Sequence, residues 1–211
     1  LMEENPHALI EGMMICGYAI DASIGYIYIR GEFKRSIERL QLAIDQARKK
    51  GILGKNIYGS NFSFDLFIKE GGGAYVCGEE TSLINSMEGK RGYPRFKPPF
   101  PGGAGFKDLP SNVNNVETLM SVPLIIEKGA DWYKSVGVDK CFGTKLYCLS
   151  GKMNKTGLVE LPMGATMREI ISEYGKGIKN GKKFKFAQVG GSAGGILGED
   201  LMDLPLDIDS T

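Results

Sequence analysis

Residues 25–30 (Gly-Tyr-Ile-Tyr-Ile-Arg) form a short run rich in β-branched and aromatic side chains, which reads as a strand. Residues 36–50 then switch to a helical period. Ile37, Leu40, Ile44 and Ala47 fall on one face, and Glu38, Asp45, Arg48 and Lys49 on the other. Residues 62–69 return to a strand pattern. A strand, a helix and a strand in that order make a βαβ unit with parallel strands and a right-handed crossover. Gly71-Gly72-Gly73 follows the second strand at once. Ligands in open parallel sheets bind beyond the carboxyl ends of the strands. The pattern therefore predicts an α/β fold and also the place where the chain meets a ligand.

The segment after that strand is GGGAYVCGEET, residues 71–81. Gly73 and Gly78 have the GxxxxG spacing of a phosphate-cradling loop, but Glu79 and Glu80 stand where such a loop needs Lys and Ser or Thr. A P-loop nucleotidase is therefore disfavoured. Glycines let backbone approach a ligand closely, and acids beside them suit one that donates from hydroxyls and ring N–H groups, such as a ribose, a ribityl chain or a flavin. The two glutamates also open a helix expected over 81–87, where acids favour the positive end of the helix dipole. Tyr75 is either a packed strand-end aromatic or a face for the ligand. Cys77 is either a small residue chosen for fit or a redox thiol.

Residues 90–103 hold too many prolines and glycines for regular structure and combine basic residues with aromatics. Lys97 and Phe100 frame this loop. They are a solvated lysine and an anchoring ring, or a ring that stacks on a base while the lysine meets a phosphate or ribose. Asn112 is expected to open a helix running to about Lys128, with Asn114 and Thr118 on one face and Asn115 near the start. Asparagine caps helices, yet two adjacent amides and a hydroxyl one turn later also suit a phosphate or polyol tail. At the amino end, Asn5-Pro6 reads as cap and first turn of a helix containing Gly12 and Gly17, which implies close packing against a neighbour.

Beyond a boundary near Lys140 the period changes. Strands are expected at 145–150, 158–161 and 184–189, and Thr166-Met-Arg-Glu169 is a capping box opening a short helix. That order, ββαβ, is β-grasp-like. A glycine-rich exit begins at Gly190. The formal charge of +1 over 211 residues asks for neither nucleic acid nor an anionic membrane. No run is long and apolar enough for a membrane span. Cys16, Cys77, Cys141 and Cys148 match no metal spacing and read as reduced thiols, two or more of them buried. His7 reads as structural. The start at Leu1, directly ahead of a helical pattern, is expected of an excised fragment.

The segment GGGAYVCGEETSLINSMEGKRGYPRFKPPFP, followed by NNVETL, closely resembles the flavin- and NADH-binding subunit of respiratory NADH dehydrogenase, complex I. That family includes the diaphorase subunits of NAD-reducing and electron-bifurcating hydrogenases and of some formate dehydrogenases. The resemblance covers most of residues 5–125. Residues from about 142 resemble the family's soluble-ligand-binding β-grasp domain more weakly. The resemblance implies a partial Rossmann-like, parallel-sheet FMN/NADH-binding domain over 1–140, a β-grasp domain over 141–195 and a tail or linker over 196–211. It implies FMN held by Tyr75, Gly78, Glu79, Glu80, Asn114, Asn115 and Thr118, and NADH met by Glu80, Lys97 and Phe100, with no catalytic acid–base residue and no metal ligand. The implied activity is that of an NADH dehydrogenase, in which a hydride passes from NADH to FMN and electrons pass on to iron–sulfur clusters.

The implied partners are the other subunits of such a complex, including a [2Fe–2S] subunit, with no nucleic acid and no direct membrane insertion. The implied location is cytoplasmic, peripheral to the inner face of the membrane. The family's other glycine loop, its acidic Asn-Asp/Glu segment and its [4Fe–4S]-ligating helical domain lie outside this stretch of sequence. The [4Fe–4S] cluster is therefore expected in the full-length protein only, and the fragment alone is expected to bind FMN weakly or not at all and to be inactive. The alternative is a non-catalytic assembly module that docks partner subunits or a small ligand through the β-grasp part.

Overall fold

A computed structural model describes residues 1–138, 140–191 and 194–206. The chain divides into two units, Leu1–Glu127 and Lys128–Thr211. The first opens with helix α1 (Pro6–Ala19), capped by Asn5, whose side chain accepts the Ala8 N–H at 3.3 Å. A Cβ at Gly12 would run into the Leu119 carbonyl, and one at Gly17 would lie 2.7 Å from the Phe64 ring. Both glycines thus mark the close approach that the sequence predicts. Strand β1 (Ile24–Arg30), helix α2 (Lys34–Lys49) and strand β2 (Asp65–Gly71) follow. The strands pair in parallel from Ile24↔Asp65 to Arg30↔Gly71.

Leu40, Ala43, Ile44 and Ala47 of α2 share one buried cluster with Ile27, Ile29, Leu66, Leu9 and Ile10. Burying each large aliphatic side chain contributes about 1.5–3 kcal/mol. Arg48 ties the end of α2 to the start of β2, with Nε donating to Asp65 Oδ1 at 2.9 Å and Nη2 to the Leu66 carbonyl at 2.7 Å. β2 starts three residues later than its composition predicts. Phe64 pairs in both directions with Gly54, at 2.8 and 2.9 Å, which takes the Phe62–Phe64 stretch off the parallel ladder. Helix α3 (Glu80–Met87) and helix α4 (Val116–Lys128) complete the set that frames the site.

The second unit holds α5 (Ala130–Lys134), β3 (Gly137–Val138), β4 (Cys141–Phe142), β5 (Thr144–Leu149), β6 (Gly157–Pro162) and α6 (Met167–Glu169). The Thr166 hydroxyl caps α6 by accepting the Glu169 N–H at 3.1 Å. The helix widens beyond α6, where the Gly175 N–H bonds back to the Ile170 carbonyl at 2.8 Å. β5 and β6 are antiparallel from Thr144↔Pro162 to Leu149↔Gly157. β7 (Phe186–Gln188) pairs antiparallel with β8 (Ile196–Gly198), not with that hairpin.

The glycines expected to form an exit reverse the chain instead. Gly190 and Gly191 have φ of 79° and 87°, where a side chain is strained, and Val189 then meets Gly195 at 3.1 Å. Ser192 and Ala193, within that exit, lie outside the described residues. Within the stretch 196–211, expected as tail or linker, Leu197, Met202 and Leu206 are buried with Leu149, Leu161, Met167, Ile170 and Ile171 in the second core; residues 207–211 lie outside the description.

Candidate functional site

Beyond the carboxyl ends of β1 and β2 lies a cavity of ≈ 820 Å³. One wall is the glycine loop, through Gly73, Tyr75, Cys77, Gly78 and Glu80. The facing wall is the extended approach to α4, Ser111 to Asn115. Tyr28 and Arg30 from β1 and Pro101 and Gly102 from the proline loop also line it. A bond from the Ser111 N–H to the Pro101 carbonyl, 2.9 Å, joins the last two walls.

The two glutamates differ. Glu79 is the cap of α3: its Oε2 accepts the N–H groups of Thr81 and Ser82 at 3.0 and 2.9 Å and also the Thr81 hydroxyl. Burial alone would raise its pKa, but the Thr81 hydroxyl, the Ser82 N–H and the Lys97 ammonium hold it at about 2. Glu80, the next residue, lines the cavity. Lys97 bridges the pair, donating to Glu79 Oε1 at 3.0 Å and to Glu80 Oε1. Its own pKa is raised, first by Glu80 and then by Glu79.

Of the residues singled out in the sequence, Tyr75, Gly78, Glu80, Asn114 and Asn115 meet at the cavity. Glu79, Lys97, Phe100 and Thr118 do not line it. Glu79 and Lys97 reach its rim through Glu80. Phe100 is 63% exposed, directly before the lining Pro101. Thr118 is exposed on α4, which begins at Val116 and not at Asn112. Asn115 takes the capping place, its Oδ1 accepting the Glu117 N–H at 2.8 Å. Asn114 therefore precedes the helix and does not share a helical face with Thr118.

Two lining residues escape a reading of the sequence alone. The Tyr28 hydroxyl lies 2.8 Å from Ser86 Oγ, and burial raises its pKa. Arg30 is held by Glu32, Nε to Oε1 at 3.0 Å. The signal for both is their place at the carboxyl end of β1, because the rule that locates the glycine loop applies equally to the neighbouring strand. His7 bonds Gln46 at 3.1 Å and is not in the lining. Among the described residues no cluster of three or more His, Cys, Asp or Glu is placed to hold a metal. The lining offers carboxylate, amide, hydroxyl and guanidinium groups together with close backbone, a set that can bind and orient a polar ligand.

The family described as the Nuo51 FMN-binding domain matches residues 1–124. Over 210 residues the chain is 50% identical to the NADP-reducing hydrogenase protein HndC of Solidesulfovibrio fructosivorans, all of this chain and 43% of that protein. It is 49% identical to a component of the NADH-quinone oxidoreductase of Escherichia coli K12, all of this chain and 47% of that one. A chain in the crystal structure of NAD+-reducing [NiFe]-hydrogenase in the H2-reduced state superimposes with a TM-score of 0.86 at 32% identity, over 99% of this chain and 35% of that one. The chain thus spans less than half the length of these relatives.

Proposed function

This chain belongs to the Nuo51 FMN-binding domain family, and from that premise we propose that its first unit supplies one part of an FMN and NADH site in an NADH-oxidising subunit. The observation that carries the reading is the cavity between the glycine loop and Asn114-Asn115, with Glu80 on its wall and Lys97 on Glu80. The residues present fit a flavin nucleotide. The volume, ≈ 820 Å³, falls within the range of about 300–1,000 Å³ usual for cofactor sites. Apart from the adjoining residues, no atom lies within 4 Å of where a Cβ would stand on Gly78 or Gly102, both in the lining, so ligand atoms can reach the backbone there.

When bound, FMN supplies the acceptor for a hydride from NADH and the relay of single electrons to iron–sulfur groups. The chain's own residues bind and orient. Tyr75, Gly78, Asn114 and Asn115 form the flavin wall, with Glu80 beside them. Glu80, Lys97 and Phe100 meet the dinucleotide, the carboxylate accepting from ribose hydroxyls and the ring offering a stacking face. Glu79 supports that wall by capping α3 and restraining Lys97, and Thr118, on the first turn of α4, is assigned to the flavin on the family resemblance alone. Holding two rings in a reactive geometry supplies much of the rate in such chemistry.

The whole protein, on this reading, works with other subunits, among them a [2Fe–2S] protein, and carries its own [4Fe–4S] cluster outside residues 1–211. It acts in the cytoplasm at the inner face of the membrane. Among the described residues no helix is long and apolar enough to cross one. We read 141–195 as a β-grasp module on the order of its β5–β6 hairpin and following helix. The test is Glu80→Ala in the natural full-length protein. NADH-dependent reduction of an artificial acceptor should fall by about 10²-fold while bound flavin persists. An unchanged rate overturns the reading.

A further inference from the structure

Arg95 ties the proline loop together from several sides, and none of its bonds is to the cavity. Its Nε donates to Asn85 Oδ1 at 2.8 Å and its Nη1 to the Gly105 carbonyl at 3.1 Å. Its Nη2 lies 3.0 Å from Glu88 Oε2. Its backbone N–H donates to the Thr81 hydroxyl at 2.8 Å. Asn85, Glu88 and Thr81 all belong to α3 or its end. Asn85 adds a second bond, from Nδ2 to the Tyr93 carbonyl at 2.6 Å. One guanidinium therefore closes residues 95–105 into a loop, its root fixed on α3 and its far end at Gly105.

Within the closed loop lie Lys97 and Phe100, with Phe96 96% exposed and Phe100 63% exposed. A loop that displays two aromatic rings to solvent gains little from burying them, so the bonds at its base carry its order. Thr81 extends the same base. The hydroxyl that accepts from Arg95 donates to Glu79, and the other oxygen of Glu79 accepts from Lys97. Arg95 thus fixes Lys97 twice, through the backbone two residues away and through the Thr81–Glu79 relay.

We infer that Arg95 is a positioning residue that holds Lys97 and Phe100 in place for the dinucleotide. The inference rests on the assignment of those two side chains to NADH. Its physical basis is preorganisation: without the clasp the loop samples many conformations, and the dinucleotide must order it on binding. The loss should therefore appear in KM for NADH, not in flavin content or in turnover at saturation.

The experiment compares Arg95→Ala, Arg95→Lys and Asn85→Ala in the natural full-length, flavin-loaded protein. Arg95→Ala should raise KM for NADH about 10-fold, with kcat within about 2-fold and the flavin absorbance unchanged. Arg95→Lys should fall between, because an ammonium keeps the Glu88 contact but cannot span Asn85 and Gly105 with one planar fork. Independently of flavin, chymotrypsin should cut after Phe96 about 10-fold faster in Arg95→Ala, reporting the opened loop. Unchanged KM and unchanged cleavage overturn the inference. Loss of flavin in step with the rise in KM overturns it too, by showing a general structural role. Should Arg95→Ala fail to fold, Arg95→Lys and Asn85→Ala decide, and unchanged KM in both overturns it. A wild-type protein that holds FMN but does not oxidise NADH removes the reading beneath it, which separates that failure from this one.

Discussion

Two of the loops that line the cavity keep their shape by different means. In the glycine loop, residues 71–79, four of nine residues are glycine. This loop is fixed at one end by the Gly31 N–H on the Gly71 carbonyl, 3.0 Å, and at the other by the Glu79 cap on α3. The proline loop, residues 90–105, is tied along its base by Arg95, Asn85 and Glu88. The Glu88 side chain is only 8% exposed; it accepts from Lys90 at 2.7 Å and from the Lys107 N–H at 2.8 Å, and forms an ion pair with Arg95 Nη2 at 3.0 Å. A charged network runs along the base of the proline loop, whereas the glycine loop has one charged anchor, Glu79, and otherwise depends on positions without a side chain. The first should fail when charge is removed, and the second when a methyl group is added.

The largest effect should come from acid, because it strips both charged anchors together. Glu88 is held at about 2, first by Lys90 and then, against the opposing effect of burial, by the Lys107 N–H and Arg95. Glu79 is held at about 2 against burial. Both folded values lie below the ordinary 4.5. The stability each carboxylate contributes is therefore complete above that value and is lost as pH falls from about 4.5 toward about 2. Urea midpoints measured from pH 6 to pH 3 should drop, and Glu88→Gln should flatten the drop. A midpoint that is level over that range breaks the comparison.

Next is Glu88→Ala at neutral pH. It leaves Arg95 with its charge but without its carboxylate partner, at a cost of about 3 kcal/mol in urea unfolding. A loss below about 1 kcal/mol would assign the loop's order to its prolines instead. Glu79→Ala should cost less, about 1–2 kcal/mol, because it removes a helix cap. It should also free Lys97 to pair with Glu80 alone.

How far the sequence foretells these walls depends on what kind of interaction builds them. The βαβ unit and the place of the glycine loop are legible, because the change of period from two to 3.6 and back is local. Asn5-Pro6 and Thr166 are legible for the same reason, since a cap satisfies backbone three residues away. The roles of neighbouring side chains are not. Glu79 and Glu80 look alike in sequence, yet one turns back to cap α3 and the other lines the cavity. Thr118 does not line the cavity beside Asn114, because α4 starts four residues later than Asn112 and the two residues share no helical face. The partner of β7 is hidden as well, since a glycine reversal decides it and not the strand's own pattern. Nothing local marks Arg95, because its four partners, Thr81, Asn85, Glu88 and Gly105, lie well beyond a helical turn in the chain, three of them ten or more residues away.

The smallest effect sharpens the comparison most, because it separates two adjacent glycines, of which only Gly73 lines the cavity. Gly73 has φ of +82°, and a Cβ there would stand 2.9 Å from Glu32 Oε1. The carboxylate is the end of a flexible side chain and can move, although Arg30 holds it at 3.0 Å. The backbone angle cannot relax so easily, so Gly73→Ala should cost about 1–2 kcal/mol. Gly72 has no such angle and, apart from the adjoining residues, no atom within 4 Å of a Cβ. Gly72→Ala should change stability by less than about 0.5 kcal/mol, or raise it slightly by restricting the unfolded chain. Gly72 lies outside the cavity lining, so the expected result is an unchanged flavin affinity. If backbone at Gly72 lies against the flavin, an added methyl group lowers flavin affinity at unchanged stability, measured by fluorescence titration of the full-length protein. If both stability and affinity are unchanged, Gly72 is spacing alone, and the close approach belongs to Gly73 and Gly78.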